Sequence, residues 1–188
     1  MPGVVQDWRV ELVETYPDLF HPVGDPATAQ GWPEVGDGWR DLLERACVRI
    51  RAAVQADGGA FQATQIKEKY GTLRFYWQGA LSPDAYVKVE EVIDLAEARS
   101  ACTCEICGES GRLHDSGWLV TRCATCAGER RLVEIRLGFE NVRIEERYIA
   151  DRRIVRCRRY DRDFDSFVDV DLRSLDPEHL RFLGIEEG

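Results

Sequence analysis

Two C-x2-C pairs constrain this chain more than any other feature. Cys104-Glu-Ile-Cys107 is followed by fifteen residues and then by Cys123-Ala-Thr-Cys126. Each pair closes a tight knuckle whose two sulfurs can face one ion, and two knuckles at this separation form a zinc pattern. Gly108, directly after Cys107, can take the left-handed backbone that turns N–H groups toward the thiolates. Gly111 and Gly117, with Leu113, Trp118, Leu119 and Val120 between the pairs, suit a short hairpin, so the segment is expected to be a zinc ribbon with four cysteine ligands. Four thiolates fill a tetrahedron and leave no position for water, which makes such a site structural. A structural Zn2+ contributes about 10–16 kcal/mol to folding its segment. An iron–sulfur cluster is the less favoured occupant. Cys102 is an alternative ligand in the run C-T-C-E-I-C, but a one-residue gap closes a knuckle poorly, so it is taken as a spare thiol. His114 is the other alternative ligand. Its neighbour Asp115 invites a catalytic interpretation, but adjacent residues usually point apart.

The remaining cysteines fit the same picture. The count of seven is odd, and the N-terminus MPGVVQDWRVELVETYP has no basic segment leading into an apolar run. Reduced thiols and a cytoplasmic location are therefore expected, with metal favoured over disulfides. No stretch approaches the roughly 18 apolar residues of a membrane span. Cys47 falls near the apolar face of a helix and is expected in the core. Cys157 stands between Arg156 and Arg158, where two cations could make a thiol reactive; a plain strand cysteine is the simpler expectation.

Around the ribbon the chain is patterned as α+β. Val5, Trp8, Leu12, Tyr16 and Leu19 make a helical stripe over residues 4–20, with Pro17 near its end. Residues 21–38 are rich in Pro and Gly and are expected to be loop. Asp37 is a plausible cap for a helix whose face is Trp39, Leu42, Leu43, Ala46, Ile50, Ala53 and Val54, ended by Gly58-Gly59. Residues 61–77 alternate about Gly71 as a hairpin, with Leu73, Phe75 and Trp77 on one side and Thr72, Arg74 and Tyr76 on the other. Ser82 and Pro83 start a third helix with the stripe Ala85, Val89, Val92, Ile93 and Ala96. Beyond the ribbon, Leu132–Phe139, Val142–Ile149, Ile154–Tyr160 and Phe164–Val170 look like strands, and Asp176-Pro177 opens a closing helix carrying Leu180 and Leu183. The expectation is helices packed on a small antiparallel sheet, the ribbon, and a C-terminal antiparallel β-rich region with a short closing helix. The corresponding divisions are residues 1–101, 102–128 and 129–188.

Charge separates the candidate functions. A formal net charge of −9 repels nucleic acid and anionic membrane at long range and favours a basic protein partner. Residues 147–163 run against that trend with seven Arg and three Asp. This Arg-rich strip, with Arg153, Arg156, Arg158, Arg159, Tyr148 and Tyr160, would serve a nucleic-acid-binding ribbon. Alternatively its arginines pair with Asp151, Asp161, Asp163 and the acids after residue 164. A second candidate surface is Lys67, Lys69 and Arg74 on the hairpin, where the Lys67-Glu68-Lys69 alternation could equally form cross-strand ion pairs. Asp161, Asp163 and Asp165 would place three carboxylates on one strand face. The chain has no phosphate-binding loop, metalloprotease, serine-hydrolase or deaminase motif.

One resemblance adds to this. Gln65-Ile-Lys-Glu-Lys-Tyr-Gly-Thr-Leu-Arg-Phe-Tyr76, Ala96-Glu-Ala-Arg-Ser100, Thr103-Cys-Glu-Ile-Cys-Gly108, Gly117-Trp118, Thr121 and Cys123 resemble a widespread, uncharacterised family of bacterial and phage zinc-ribbon proteins. Gly38-Trp39 and the helix after it fit as well, so the resemblance spans residues 36–126. It implies a helix–hairpin–helix unit docked to a zinc ribbon, and no reaction. The relatives often have His where this chain has Cys126, and many stop near that point, which leaves the C-terminal region as an addition. The function expected from the whole is a non-enzymatic, zinc-stabilised protein-binding module, in one version an immunity or antitoxin protein covering a basic toxin. Nucleic-acid binding through the strip is the first alternative, and an enzyme the second.

Overall fold

The computed structural model describes residues 7–149, 152–182, 184 and 185. Val5, Asp151 and Leu183 lie outside them, as do the side chains of Arg147, Tyr148, Ile149, Arg152 and Ile154. The chain divides into two compact units, Met1–Leu132 and Val133–Gly188. The class is α+β, with six α-helices and three small sheets among the described residues.

The first unit starts with helix α1 (Trp8–Thr15), capped by Asp7, whose carboxylate accepts from the Arg9 amide. The expected single helix is broken at Tyr16 (φ −122°, ψ 52°), and α2 (Pro17–Phe20) restarts with Pro17 in its first turn. The break follows from the residues: Pro17 has no N–H to give to the turn before it, yet is pre-set to begin a new one. The expected loop contains strand β1 (Pro33–Glu34) and a 3-10 turn at Asp37–Trp39. Asp37 does not cap the next helix, α3 (Arg40–Asp57), which has no side-chain cap. Its carboxylate instead accepts from Trp8 Nε1 at 2.9 Å and pairs with Arg9 at 3.0 Å.

Strands β2 (Ala60–Lys69) and β3 (Thr72–Ala80) form the expected hairpin, and β1 joins β2 in parallel at Pro33↔Ile66 and Glu34↔Lys67. The connection is the two-residue turn Tyr70-Gly71, with φ of 55° and 80°. Both values lie in the left-handed region, which matches the twist of paired strands. Helix α4 (Pro83–Ala101) is capped by Ser82 and begins with Pro83. Helices α3 and α4 pack together, and α4 also packs on β3. Leu42, Leu43, Ala46, Cys47 and Ile50 of α3 meet Val89, Ile93 and Ala96 of α4 and Phe61, Ile66, Leu73 and Phe75 of the sheet in one core. Trp39 is fully buried within it.

The second unit is a meander of β7 (Val142–Ile149), β8 (Arg152–Asp161) and β9 (Ser166–Asp169), with helix α6 (Pro177–Phe182) closing it. Its core gathers Cys157, Leu175, Leu180 and Ile185 with Phe139, Val142, Ile144, Val155, Val170 and Leu172. Asp176 starts α6 as expected, accepting from the Glu178 amide at 2.8 Å. The strand expected over Leu132–Phe139 does not form: only Arg131–Leu132 is extended and paired, and Leu137 is 89% exposed. Alternation gives a strand only where a neighbouring strand pairs with it, and among the described residues none pairs with residues 133–139, although Phe139 reaches the second unit's core.

Candidate metal centre

Four cysteines come together as their spacing requires. The sulfurs of Cys104, Cys107, Cys123 and Cys126 all lie within 4.8 Å of one another. Cys107 and Cys123 are 3.6 Å apart, and Cys126 and Cys107 are 3.7 Å apart. A tetrahedral ion with metal–sulfur bonds of about 2.3 Å has a sulfur–sulfur edge of about 3.8 Å. A disulfide would need about 2.05 Å. The donor set therefore fits one tetrahedrally held metal ion. Neither alternative ligand belongs to it. Cys102 is buried at the end of α4 with its sulfur toward the Arg99 carbonyl at 3.3 Å, and His114 Nδ1 lies 2.8 Å from the Arg112 carbonyl.

Electrostatics agree with this assignment. Burial works to raise the Cys104 thiol, but N–H groups of Cys123, Cys107 and Ile106 point at its sulfur and bring it down to about 7. Cys123 is lowered chiefly by the Cys126 amide. Cys126 is pushed up to about 12, because its proton is held by the sulfurs of Cys123 and Cys107. Four sulfurs this close share protons in the absence of a cation, and a dication replaces those protons.

The first knuckle turns at Cys104–Gly108, where the Gly108 amide donates to the Cys104 carbonyl at 2.9 Å. The second is the single helical turn α5 (Ala124–Ala127) after Cys123. Between them, β4 (Arg112–Asp115) and β5 (Leu119–Arg122) form the expected hairpin, to which β6 (Arg131–Leu132) adds a third strand against β4.

What holds the ribbon to the rest of its unit was not legible as function. The Gly38 amide donates to the Glu105 carbonyl at 2.8 Å, and the Gly36 amide to the Glu105 carboxylate at 3.0 Å. Glu105 also pairs with Arg122 at 2.9 Å, with both side chains largely buried. Trp39 Nε1 donates to the Thr103 carbonyl at 2.9 Å and Thr121 Oγ1 to the Gly71 carbonyl at 2.6 Å, while the Leu73 amide ties β3 to α4 through Ser100 Oγ at 2.8 Å. Gly38 lies so close to the knuckle that an added Cβ would meet the Cys104 oxygen at 2.2 Å and the Gly108 nitrogen at 2.4 Å. Gly38, Trp39, Gly71, Thr103 and Thr121 thus line the seam between the ribbon and the rest of its unit.

The other candidate residues separate into distinct roles. Arg153 pairs with Glu146 at 2.6 Å, Arg156 with Asp169 at 3.0 Å, and Arg159 donates to the Gly138 carbonyl at 2.8 Å. Arg158 is buried, pairs with Glu145 and lies 4.0 Å from the Phe167 ring. Three of the strip's arginines are thus matched by acids, Glu145, Glu146 and Asp169, on the neighbouring strands. Cys157 is buried, and that burial raises its thiol against the opposing pull of Arg159. Asp161, Asp163 and Asp165 do not share a strand face: Asp161 ends β8 and accepts from the Asp163 and Phe164 amides, while Asp165 accepts from the Tyr160 hydroxyl at 2.7 Å. On the hairpin, Arg74 pairs with Glu97 of α4 and Glu68 accepts from the Gly71 amide, so the alternative of Lys–Glu pairs between β2 and β3 is not formed, and the acid opposite Lys67 is Glu34 of β1. On the β3 side Lys67 stands opposite Arg74.

No described helix is long and apolar enough to cross a membrane. Comparison of the chain with protein-family models, with curated proteins and with solved structures finds no match.

Proposed function

We propose that this chain is a non-enzymatic protein-binding module stabilised by one structural zinc ion on Cys104, Cys107, Cys123 and Cys126. The observation that carries this is the four-sulfur set itself, closed by its own ligands and hydrogen-bonded through the first knuckle to Gly36, Gly38 and Trp39. Such an ion orders a scaffold and leaves no coordination position for a substrate. We infer that residues 36–126 share this scaffold with the bacterial and phage zinc-ribbon family they resemble, and that the reduced thiols act in the cytoplasm.

The partner follows from charge and exposed rings. The net charge of −9 favours a basic protein, and each unit exposes large apolar side chains, Trp118 on the first and Phe164 and Phe182 on the second. An immunity or antitoxin protein that neutralises a basic toxin fits this chemistry. Neutralisation of Arg153, Arg156 and Arg158 by acids weighs against a nucleic-acid role for the strip.

Two measurements test the proposal. Elemental analysis should give one zinc per chain, lost together when any one ligand cysteine is changed to serine. Purification from the native host with nuclease treatment should recover one basic protein in stoichiometric amount. A partner pool that disappears with nuclease would refute the protein-binding part and leave the zinc scaffold standing.

A further inference from the structure

The four sulfurs of the metal centre are not equally sheltered. Cys104 is fully buried and Cys123 keeps 9% of its surface, whereas Cys126 is half-buried and Cys107 is exposed. The backbone adds to this difference. Amides of Cys123, Cys107 and Ile106 all point at the Cys104 sulfur, while the Glu109 amide points at that of Cys107. Beside Cys107, Ile106 is 54% exposed and Gly108 has no side chain. The two outer sulfurs come one from each knuckle and lie 3.7 Å apart.

Exposure decides which of these sulfurs an oxidant meets. Metal binding keeps all four cysteines as thiolates, the reactive form. Among thiolates, susceptibility to oxidation then follows access from solvent. Amide hydrogen bonds stabilise the anion and lower its nucleophilicity, so Cys104 is both the least accessible sulfur and a weakened nucleophile. The outer pair, Cys107 and Cys126, is left as the reactive face of the site.

We propose that Cys107 and Cys126 are an oxidative modification site, which hydrogen peroxide converts to a disulfide with release of the metal ion. The inference rests on the zinc reading of the four-sulfur set. The Cys107 sulfur attacks one peroxide oxygen: an S–O bond forms, the O–O bond breaks and hydroxide leaves. The Cys126 sulfur then attacks the sulfur of this sulfenic acid: an S–S bond forms, the S–O bond breaks and a second hydroxide leaves. The two thiolates have together given two electrons to the peroxide, and two protons from solvent turn the hydroxides into water. The two sulfurs close from 3.7 Å to about 2.05 Å. Cys123 is as near to Cys107, at 3.6 Å, but it is almost buried and its sulfur accepts from the Cys126 amide at 3.4 Å. Cys104 and Cys123 remain, two ligands where a structural site needs four. Glu105, between Cys104 and Cys107, carries the bonds to Gly36 and Gly38, so the change also reaches the ribbon's seam.

The test treats the zinc-loaded full chain with hydrogen peroxide, follows released zinc with a chelating dye and locates disulfides by peptide mass mapping. Release should be about tenfold faster for tenfold more peroxide, with one ion freed for each Cys107–Cys126 disulfide formed. A thiol reductant with added zinc should restore the site. Cys126→His keeps a fourth ligand and removes the second thiol. It should hold zinc, release it more slowly under peroxide and let a sulfenic-acid probe label Cys107. Mapping of the parent decides the question even if that variant loses its metal. Cys102→Ser should behave like the parent, because Cys102 is buried with its sulfur toward the Arg99 carbonyl. The proposal is overturned if the first disulfide joins any other pair, if all four ligand cysteines are oxidised together, or if release is independent of peroxide concentration, which would mean that the ribbon has to unfold first. A chain that carries no metal before treatment would overturn the zinc reading and this proposal with it, whereas a zinc-loaded chain with the wrong disulfide overturns this proposal alone.

Discussion

Gly38→Ala should damage the metal centre from a residue that ligates nothing. The three atoms nearest the new methyl group are all knuckle backbone: the Cys104 oxygen at 2.2 Å, the Gly108 nitrogen at 2.4 Å and the Cys107 nitrogen at 2.8 Å. Backbone at these distances cannot swing aside as a flexible side chain could, so the protein has two responses. It can keep the dock and carry the overpacking, typically about 1–3 kcal/mol and more for rigid backbone. Or it can separate the knuckle from residues 36–39, losing the hydrogen bonds Gly38 N to Glu105 O, Gly36 N to the Glu105 carboxylate and Trp39 Nε1 to Thr103 O. At about 1 kcal/mol each, that loss is about 3 kcal/mol, before any exposure of Trp39. The expected destabilisation is therefore about 3 kcal/mol. If the knuckle docks only with metal bound, zinc affinity falls by up to about a hundredfold. Trp39→Phe, which keeps most of the volume and removes one of these bonds, should cost about 1 kcal/mol. Urea unfolding of the zinc-loaded protein and a chelator competition give the two quantities. An unchanged midpoint with unchanged zinc affinity would refute the coupling between this turn and the knuckle.

Removing zinc with a chelator should lower hydrogen-exchange protection at β4, β5 and residues 33–39 while β7–β9 keep theirs, since the two compact units have separate cores. In the same samples, the number of thiols open to a labelling reagent should rise by four, with Cys47 and Cys157 still unreactive because burial raises both. Glu145→Leu should destabilise the second unit, read by urea unfolding, because it removes the carboxylate that pairs with buried Arg158 and with Arg143. Asp37 is held below its usual 3.8, first by the Trp8 hydrogen bond and then by Arg9. A depressed acid stabilises the fold above its unfolded value and loses that contribution as pH falls through the folded one, so Asp37→Asn should flatten the acid limb of stability below about pH 4.

Some elements were determined within a few residues of chain. The ligand set needed only the spacing of Cys104, Cys107, Cys123 and Cys126, because a knuckle is closed by neighbours. Helix α4 needed only Ser82, Pro83 and its apolar stripe, and the hairpin only its alternation about Gly71. Other features depended on partners far along the chain. Pro33-Glu34 is a strand because β2 offers it an edge, and nothing local marks two residues as extended. Leu132–Phe139 alternates like a strand and mostly is not one, because no neighbour pairs with it. Asp37 has the chemistry of a cap and was taken by Trp8 and Arg9 instead. The arginines of β8 were legible as positive charge, but the pairing of Arg153, Arg156 and Arg158 with Glu146, Asp169 and Glu145 was set by strand register. Sequence by itself determined the metal donors and the local elements, since those energies act between near neighbours. The tertiary structure decided which charges remain available and what Gly38 and Glu105 are for, since those depend on contacts that only folding brings together.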